Sequence, residues 1–323
     1  MPSCNAAITL YDFHPAQEDV ADEILEGLRR PEKLISPKFF YDERGSQLFD
    51  EITELPEYYP TRTEIAIMQT HIAEMVRLIG PKASLIEFGS GSSLKTHILL
   101  KNLEDLAAYV PVEISLQHLM EAARELLRLY PHIEILPVCA DFTQAFDLPN
   151  PKVMPIKNVV YFPGSTIGNF DPPAAKDLLK VMRLEAKEGG ALLIGVDLKK
   201  DTATLENAYN DAAGVTAQFN LNVLERINRE CGANFDLNSF AHRAIYNEEE
   251  GRIEMHLVSL KNQSVSIAGR EVVFDEREHI VTEYSHKFSR QQFAELAGEA
   301  GFRVVKVWTD PEELFSVQYL ECD

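Results

Sequence analysis

The chain has 323 residues, 45% hydrophobic and 25% charged, with a formal net charge of −20. This composition is typical of a globular protein, and the negative charge argues against nucleic acid or anionic membranes, which are bound through basic residues. A small-molecule substrate is therefore expected. The four cysteines lack metal or redox spacing, and neither a signal peptide nor a long apolar span is visible, so we expect a cytoplasmic protein.

The first part of the chain combines a predicted helix with loops rich in aromatic residues. Helical periodicity at 18–29 is followed by two stretches rich in proline, tyrosine and phenylalanine, 35–42 and 55–63. We predict that these stretches are ordered loops that cover another part of the molecule. From about 61 to 197, strands alternate with helices, which predicts a doubly wound parallel sheet. The predicted strands are 84–88, 109–114, 133–139, 158–163 and 190–197.

The alternation stops between residues 198 and 286, which are interpreted as an insertion. Its pattern predicts two helices followed by an antiparallel patch of strands. The helices are predicted at 202–210 and 215–230, and the strands at 241–247, 252–260, 264–268 and 279–286. The sheet then resumes with a helix at 290–300 and strands at 303–308 and 314–319. We therefore predict a Rossmann-like α/β domain, 60–197 and 287–323, and a smaller α+β domain, 1–59 and 198–286, with a site between them.

A glycine-containing loop follows the first predicted strand of the sheet. The sequence LIEFGSGSSLKT at 85–96 passes from an apolar run through Gly89 and Gly91 into a helix-like stretch. Glycine allows a sharp turn and a close approach of the backbone to a ligand. The third glycine of the dinucleotide fingerprint and the Gly-Lys-Ser/Thr of a phosphate-binding loop are both missing. A nucleoside therefore fits this loop better than a pyrophosphate.

Acidic residues stand at the ends of the next two predicted strands. Glu113 follows the glycine loop by about twenty residues, the usual separation for an acid that binds ribose hydroxyls. Asp141 and Phe142 follow the third strand and offer a carboxylate and a ring face suited to adenine. Backbone, carboxylate and carboxylate-plus-ring in this order are the pattern of S-adenosylmethionine-dependent methyltransferases.

Two further segments carry candidate substrate groups. Asn169 follows the fourth strand and is predicted at the carboxyl edge of the sheet, where folds of this class bind substrates, although it is equally suited to a turn or a helix cap. Within the insertion, period-two alternation predicts Val281, Glu283 and Ser285 on one face of a strand. Glu283 and Ser285 either face solvent or accept N–H bonds from a polar heterocycle.

Several blocks of the chain resemble the histidine Nα-methyltransferases of ergothioneine biosynthesis, from about residue 18 to the end. The blocks are 38–50 (KFFYDERGSQLFD), 55–64 (LPEYYPTRTE), 88–91 (FGSG), 164–169 (GSTIGN), 208–220 (AYNDAAGVTAQFN) and 252–255 (RIEM). The resemblance implies a class I methyltransferase fold and three methyl transfers from S-adenosylmethionine to the α-amine of free L-histidine, which give hercynine and S-adenosylhomocysteine. A sulfonium is already activated, so no metal is expected; the site must place a neutral amine roughly 3 Å from the methyl.

The resemblance also implies roles for individual residues of the two domains. The cofactor would be held in the first domain by Gly89, Lys95, Glu113, Asp141 and Phe142. In the second, the imidazole would meet Tyr58, Glu283 and Ser285, with Met255 beside it, and the methylated nitrogen would meet Phe49. Asn169 and Tyr209 would hold the carboxylate and amine near Tyr41.

The catalytic residues implied are those that place the amine or relay its proton. They are Tyr58, Asn169 and Tyr209. The family usually has Asp where this chain has Glu113, which leaves the geometry of the cofactor end open. The resemblance and the negative charge together predict a monomer that binds L-histidine and neither nucleic acid nor membrane. Two alternatives remain: an Nα-methyltransferase for another aromatic amino acid, such as tryptophan, and a non-catalytic binding protein with this fold.

Overall fold

The computed structural model describes residues 9–13, 20–90 and 94–323, and its central feature is a mixed sheet of eight strands. The sheet runs in the order β1-β5-β4-β3-β6-β7-β14-β13, and only β14 is antiparallel to the other strands of this sheet. Its strands are β1 (Tyr11–Asp12), β3 (Ala83–Phe88), β4 (Leu106–Glu113), β5 (Val138–Cys139), β6 (Lys157–Phe162), β7 (Ala191–Asp197), β13 (Phe302–Thr309) and β14 (Phe315–Cys322). The Rossmann-like α/β prediction is confirmed.

Helices cover both faces of this sheet, which explains why its central strands are buried along almost their whole length. Consecutive residues of β3, Leu85 and Ile86, enter two different hydrophobic clusters, and Tyr109 and Val110 of β4 do the same. One cluster includes α3 (Tyr59–Ile79), α4 (Leu94–Leu100) and α5 (Leu116–Leu129), and the other includes α6 (Pro172–Ala186) and α9 (Arg290–Glu299). Chain order reverses between β3 and β6, which leaves a crevice at the carboxyl ends of the strands.

The inserted segment and the short N-terminal strand β2 form a second sheet, with strands in the order β2-β12-β9-β8. This sheet packs against helices of the N-terminal segment and of the insertion itself. The strands are β2 (Lys33–Leu34), β8 (Phe240–Asn247), β9 (Arg252–Ser259) and β12 (His279–His286), with a separate hairpin of β10 (Gln263–Ile267) and β11 (Arg270–Phe274). A third hydrophobic cluster joins this sheet to α1 (Val20–Leu28), α2 (Glu43–Thr53), α7 (Thr202–Tyr209) and α8 (Val215–Cys231). The N-terminal segment and the insertion therefore share one core.

Three local predictions are wrong. The strand predicted at 133–139 is reduced to Val138–Cys139 because Pro137, which has no N–H to donate, interrupts the ladder. Helix α2 is absent from the prediction, although Asp42 caps it by accepting the Gly45 N–H at 2.7 Å. The loop predicted at 55–63 ends early, since α3 begins at Tyr59 with a proline in its first turn.

A β-bulge corrects the prediction that Val281 shares a face with Glu283 and Ser285. Val281 pairs with His256 and Glu283 with Met255, so two steps along β12 match one step along β9. Neighbouring residues of β9 point to opposite faces, and Val281 is therefore on the face opposite Glu283. The extra residue, Thr282, donates its hydroxyl to the Asn220 side chain at 2.7 Å and to the Met255 carbonyl at 3.1 Å.

Candidate active site

Strand β3 of the central sheet ends in a tight turn next to an aromatic ring. Gly89 has φ of +70°, and its N–H donates to the Val112 carbonyl at 2.9 Å. A Cβ at this position would lie 3.6 Å from the Phe142 ring, which itself packs on Phe88 with centroids 5.6 Å apart. Gly91 lies outside the described residues. The turn at Gly89 and the Phe142 ring, together called the cradle below, face each other without a side chain at position 89 between them.

Two carboxylates stand beside this cradle, each held by its own backbone. Glu113 accepts the N–H groups of Ile114 and Ser115 at 2.9 and 3.1 Å, and burial raises the pKa of its carboxyl. Asp141 accepts the backbone N–H and the hydroxyl of Thr143 at 2.9 and 2.7 Å. Because β3, β4 and β5 are adjacent, these groups and Gly89 lie along one edge of the sheet in the predicted order.

Lys95, a predicted cofactor residue, is engaged in a buried ion pair. Its ammonium lies 2.5 Å from the carboxylate of Glu64 on α3, and Glu64 also accepts the Gly164 N–H at 3.0 Å. A Cβ on Gly195 in β7 would overlap the Glu64 carboxylate. Glu64 therefore joins α3, α4 and the loop after β6. The sequence contains it in a resemblance block, but no local signal reveals its partners.

An aromatic cavity lies between the helices of the third cluster and the inserted sheet. Five of the predicted substrate residues line it: Phe49, Tyr58, Tyr209, Met255 and Glu283. Ile52, Ala208, Thr216 and Phe219 complete the lining. Residues that are more than 200 positions apart in the sequence thus line one small space.

A chain of aromatic rings leads from the surface into this cavity. Tyr41, 41% exposed, packs on Phe49 with centroids 5.7 Å apart, Phe49 on Tyr58 at 6.3 Å, and Tyr58 on Tyr209 at 6.1 Å. Although part of Tyr41 is exposed, desolvation of its hydroxyl raises the pKa of that group, and the negative charges of Glu283 and Glu113 act in the same direction. Tyr41 therefore lies within electrostatic reach of both the cavity and the edge of the cradle.

Glu283 is the acidic group of the cavity. Its side chain is nine-tenths buried, and burial raises the pKa of its carboxyl to about 7, although the nearby Lys287 ammonium acts in the opposite direction. Met255 stands opposite Glu283 on β9, so both side chains point to the same face. A carboxylate held in an apolar wall is poorly solvated, and an N–H donor that enters the cavity would satisfy it.

Ser285 lies two residues further along this face of β12 and contacts Tyr209, which lines the cavity. The Tyr209 hydroxyl donates to Ser285 Oγ at 3.0 Å, and the Lys287 ammonium donates to both, at 3.1 Å to Tyr209 and 2.8 Å to Ser285. Lys287 is paired in turn with Asp197 at the end of β7, at 2.7 Å. A buried polar network therefore links the inserted sheet to the central sheet.

Asn169 ends a short 3-10 helix, Thr166–Asn169, that follows β6 and packs on β12. A Cβ on Gly168 would lie 2.7 Å from the His286 carbonyl oxygen, so only glycine allows this approach. Asn169 is half-buried at the carboxyl edge of the sheet, near the strand that carries Glu283 and Ser285. Three predicted substrate residues are not among the described residues that line the cavity: Asn169, Tyr41 and Ser285.

The sequence profile of one family, described as histidine-specific, S-adenosylmethionine-dependent methyltransferases, matches residues 20–322. The chain belongs to this family. It is therefore an enzyme, and the alternative of a non-catalytic binding protein is wrong. Its cofactor is S-adenosylmethionine.

Relatives with similarity over most of the chain include two from mycobacteria. The histidine N-alpha-methyltransferase of Mycolicibacterium smegmatis is 42% identical over 92% of each chain, and that of Mycobacterium tuberculosis is 40% identical over 89% of this chain and 90% of its own. Ergothioneine biosynthesis protein 1 of Neurospora crassa is 31% identical over 83% of this chain, which corresponds to 31% of that longer protein.

Several polar residues of the site escape sequence analysis. Asp197 pairs with Lys200 at 2.7 Å as well as with Lys287, and it accepts the Tyr59 hydroxyl at 2.9 Å. Although burial opposes it, the two ammonium groups hold the pKa of the Asp197 carboxyl below its ordinary value. Within the described ranges, no group of three or more His, Cys, Asp or Glu residues is placed to hold a metal, and no helix is long and apolar enough to span a membrane.

Proposed function

We propose that this enzyme transfers three methyl groups from S-adenosylmethionine to the α-amino group of free L-histidine, forming hercynine in ergothioneine biosynthesis. Family membership and the names of the mycobacterial and Neurospora relatives support this proposal. The observation that carries the substrate assignment is the buried Glu283 carboxylate, the one acidic group among the described residues of a cavity whose other lining residues are aromatic or apolar except Thr216.

The carboxyl edge of β3, β4 and β5 fits the cofactor. The cradle of Gly89 and Phe142 would receive the adenine ring, and the carboxylates of Glu113 and Asp141 would accept hydrogen bonds from ribose hydroxyls and the adenine amino group. Lys95 would stand at the opposite side of the loop, paired with Glu64. When bound, the cofactor supplies a methyl group on a sulfonium, which is already activated for transfer.

Glu283 is proposed to recognise the imidazole ring of the substrate. An ionised carboxylate accepts a ring N–H and thereby selects one tautomer. A side chain without a ring N–H would leave the buried carboxylate unpaired, and such a loss discriminates strongly between substrates. This argument favours histidine over apolar amino acids, and it leaves tryptophan, which also has a ring N–H, to be tested directly.

The amino-acid end of the substrate is proposed to lie near Asn169, Tyr209 and Tyr41. The amide of Asn169 can donate to the carboxylate and accept from the amine. Phe49 presents an aromatic face on which a methylated, cationic nitrogen is stabilised by about 0.5–2 kcal/mol. This attraction would retain the monomethyl and dimethyl intermediates between transfers.

Each transfer requires loss of a proton from the α-amine, which is mostly protonated at neutral pH. Burial raises the pKa values of the Tyr58 and Tyr209 hydroxyls above the ordinary value, so both remain protonated. They are therefore suited to relay a proton through their hydroxyl groups and not to hold one as a base. Water is the proposed final acceptor.

We further propose that the enzyme acts as a cytoplasmic monomer whose partner is the small-molecule substrate alone. The net charge of −20 supports the exclusion of nucleic acid and anionic membranes. The division into a cofactor domain (60–197 and 287–323) and a substrate domain (1–59 and 198–286) is supported by the core that the N-terminal segment shares with the insertion.

The decisive experiment incubates the purified chain with methyl-labelled cofactor and a panel of free amino acids, followed by mass spectrometry. We expect three labelled methyl groups on L-histidine and none or far fewer on tryptophan, tyrosine and phenylalanine. Faster methylation of tryptophan than of histidine would support the alternative substrate, and absence of label on every amino acid would contradict the proposal.

A further inference from the structure

Lys287 is a buried cation whose three donors meet three acceptors. Its side chain is 1% exposed, and its ammonium contacts Asp197 Oδ2 at 2.7 Å, Ser285 Oγ at 2.8 Å and the Tyr209 hydroxyl at 3.1 Å. An ammonium donates and never accepts. Although burial acts to lower the pKa of Lys287, the Asp197 carboxylate raises it above its ordinary value, so the group stays charged.

Around Ser285, the Lys287 ammonium is one hydrogen-bond donor, and the structure records the Tyr209 hydroxyl as a second donor. A serine hydroxyl has two acceptor positions and one proton. Ser285 Oγ accepts from Lys287 and from the Tyr209 hydroxyl, which is 3.0 Å away, so both acceptor positions are used. The remaining proton of Ser285 has to be donated elsewhere. Without Lys287, one acceptor position of Ser285 Oγ would be open, and the hydroxyl could either donate a hydrogen bond to the substrate ring or accept one from it.

Glu283 provides a hydrogen-bond acceptor on the same face of β12 as the Ser285 donor. It is two residues from Ser285 without an intervening bulge, and it lines the cavity as a carboxylate that only accepts when ionised. The proposed ring site therefore presents one acceptor and one donor. A neutral imidazole, with one N–H and one bare nitrogen, matches this pair; an imidazolium or a ring without a bare nitrogen does not.

We propose that Lys287 is a specificity-determining, positioning residue that makes Ser285 an obligate donor, so that the site selects the neutral form of the imidazole in a single tautomer. This inference rests on the proposed function, which puts the ring between Glu283 and Ser285. It adds a reason for rejecting indole and pyrrole rings, which offer an N–H to Glu283 but no acceptor to Ser285.

A direct test uses the wild-type enzyme with S-adenosylhomocysteine and L-histidine labelled with nitrogen-15 in the ring. Nitrogen NMR at about pH 7.5 reports the protonation of each ring nitrogen. At this pH the imidazole ring of free histidine is mostly neutral and exchanges between its two tautomers. We expect one nitrogen of the bound ring to be fully protonated and the other bare and hydrogen-bonded. A doubly protonated ring, or averaging between tautomers in the bound state, would overturn the inference.

A second test compares Lys287→Met with Lys200→Met as the matched control. Both lysines pair with Asp197 at 2.7 Å, and each variant leaves Asp197 one ammonium and the Tyr59 hydroxyl, but the structure records Ser285 contacts only for Lys287. The measurement is the dissociation constant of the pyrrole analogue of histidine, which lacks the bare nitrogen, divided by the dissociation constant of L-histidine. We expect Lys287→Met to reduce this ratio roughly tenfold and Lys200→Met to leave it unchanged.

A double-mutant cycle with Ser285→Ala separates positioning from a general structural role. If Lys287 acts through Ser285, Lys287→Met has little further effect on the ratio once Ser285 is alanine. Equal loss of affinity for histidine and the analogue in Lys287→Met would instead indicate a structural role and refute the inference. If Lys287→Met does not fold, Ser285→Ala alone and the NMR measurement decide. Failure of wild-type enzyme to bind histidine would count against the proposed function itself.

Discussion

Glu283 stands directly across from Met255, one position after the bulge at Thr282, and this pairing is what turns the carboxylate into the aromatic cavity. With regular alternation from Val281, the pairing would slip by one residue and Glu283 would point to the opposite face. The bulge therefore contributes as much to the candidate site as the acidic residue itself.

Replacement of Glu283 by alanine should weaken histidine binding while leaving cofactor binding unchanged. The variant removes the acceptor for the ring N–H from a desolvated cavity, and we expect a loss of about 100-fold in histidine affinity. Isothermal calorimetry with S-adenosylhomocysteine and with histidine measures both affinities on the same protein. Unchanged affinity for both ligands would contradict the proposed role of Glu283.

The same carboxylate should make folding stability depend on pH. The folded-state pKa of Glu283, about 7, lies above its ordinary value of 4.5, so the folded protein holds this proton more tightly than the unfolded chain. Its contribution to stability is complete below about pH 4.5 and is lost as the pH rises through about 7. Glu283→Gln should therefore be more stable than wild type by about 1–3 kcal/mol at about pH 8, with a much smaller difference near pH 5.

Urea unfolding at the two pH values measures this difference. Glu276→Gln is the matched control, because Glu276 is an exposed carboxylate of the same inserted segment. An equal gain in both variants would mean that reduced net charge, and not the buried position of Glu283, is responsible.

Asn169→Ala should abolish detectable binding of any α-amino acid. The amide is the proposed partner of the carboxylate and amine that all amino acids share, so its loss should affect histidine and other amino acids alike. Turnover and histidine binding are measured beside cofactor affinity, which should stay within about twofold of wild type. Turnover at the wild-type rate would refute the role assigned to Asn169.

Phe49→Leu should release partly methylated products. The leucine side chain keeps an apolar surface and removes the aromatic face, which lowers the retention of a cationic nitrogen by roughly 2- to 30-fold. Mass spectrometry at low turnover should detect monomethyl and dimethyl histidine, whereas Phe49→Tyr, which keeps the ring, should still yield mainly the trimethyl product. The same product distribution in all three proteins would rule out retention by Phe49.

The sequence predicts the central sheet well because its signals are local. Strands such as β3 and β7 are short, mostly apolar runs, and Gly89, Glu113 and Asp141 lie at or just after strand ends, where order along the chain translates into order along the sheet. Prediction fails where one residue changes the pattern: Pro137 shortens β5, and the bulge at Thr282 reverses the face of Val281.

The buried polar partners could not be predicted for a different reason. Asp197 and Lys287 are 90 positions apart, and neither has a neighbour in the sequence that signals a partner. The same holds for Glu64 and Lys95, which meet only because α3 and α4 pack on one face of the sheet. Such pairs depend on the finished tertiary fold, whereas the resemblance supplied Tyr209 and Ser285 without revealing the cation between them.

The contact between Asp197 and Lys287 also sets the distance between the two sheets. Asp197 ends a strand of the sheet that carries the cofactor cradle, and Lys287 directly follows the strand that carries Glu283 and Ser285. A shift of about 1 Å between the two sheets would break this 2.7 Å contact, and the Lys287 charge would lose its carboxylate partner where both side chains are only 1% exposed. Engineering for bulkier amines should therefore replace Ile52 or Thr216 in the cavity lining with smaller residues and keep the ion pair between Asp197 and Lys287.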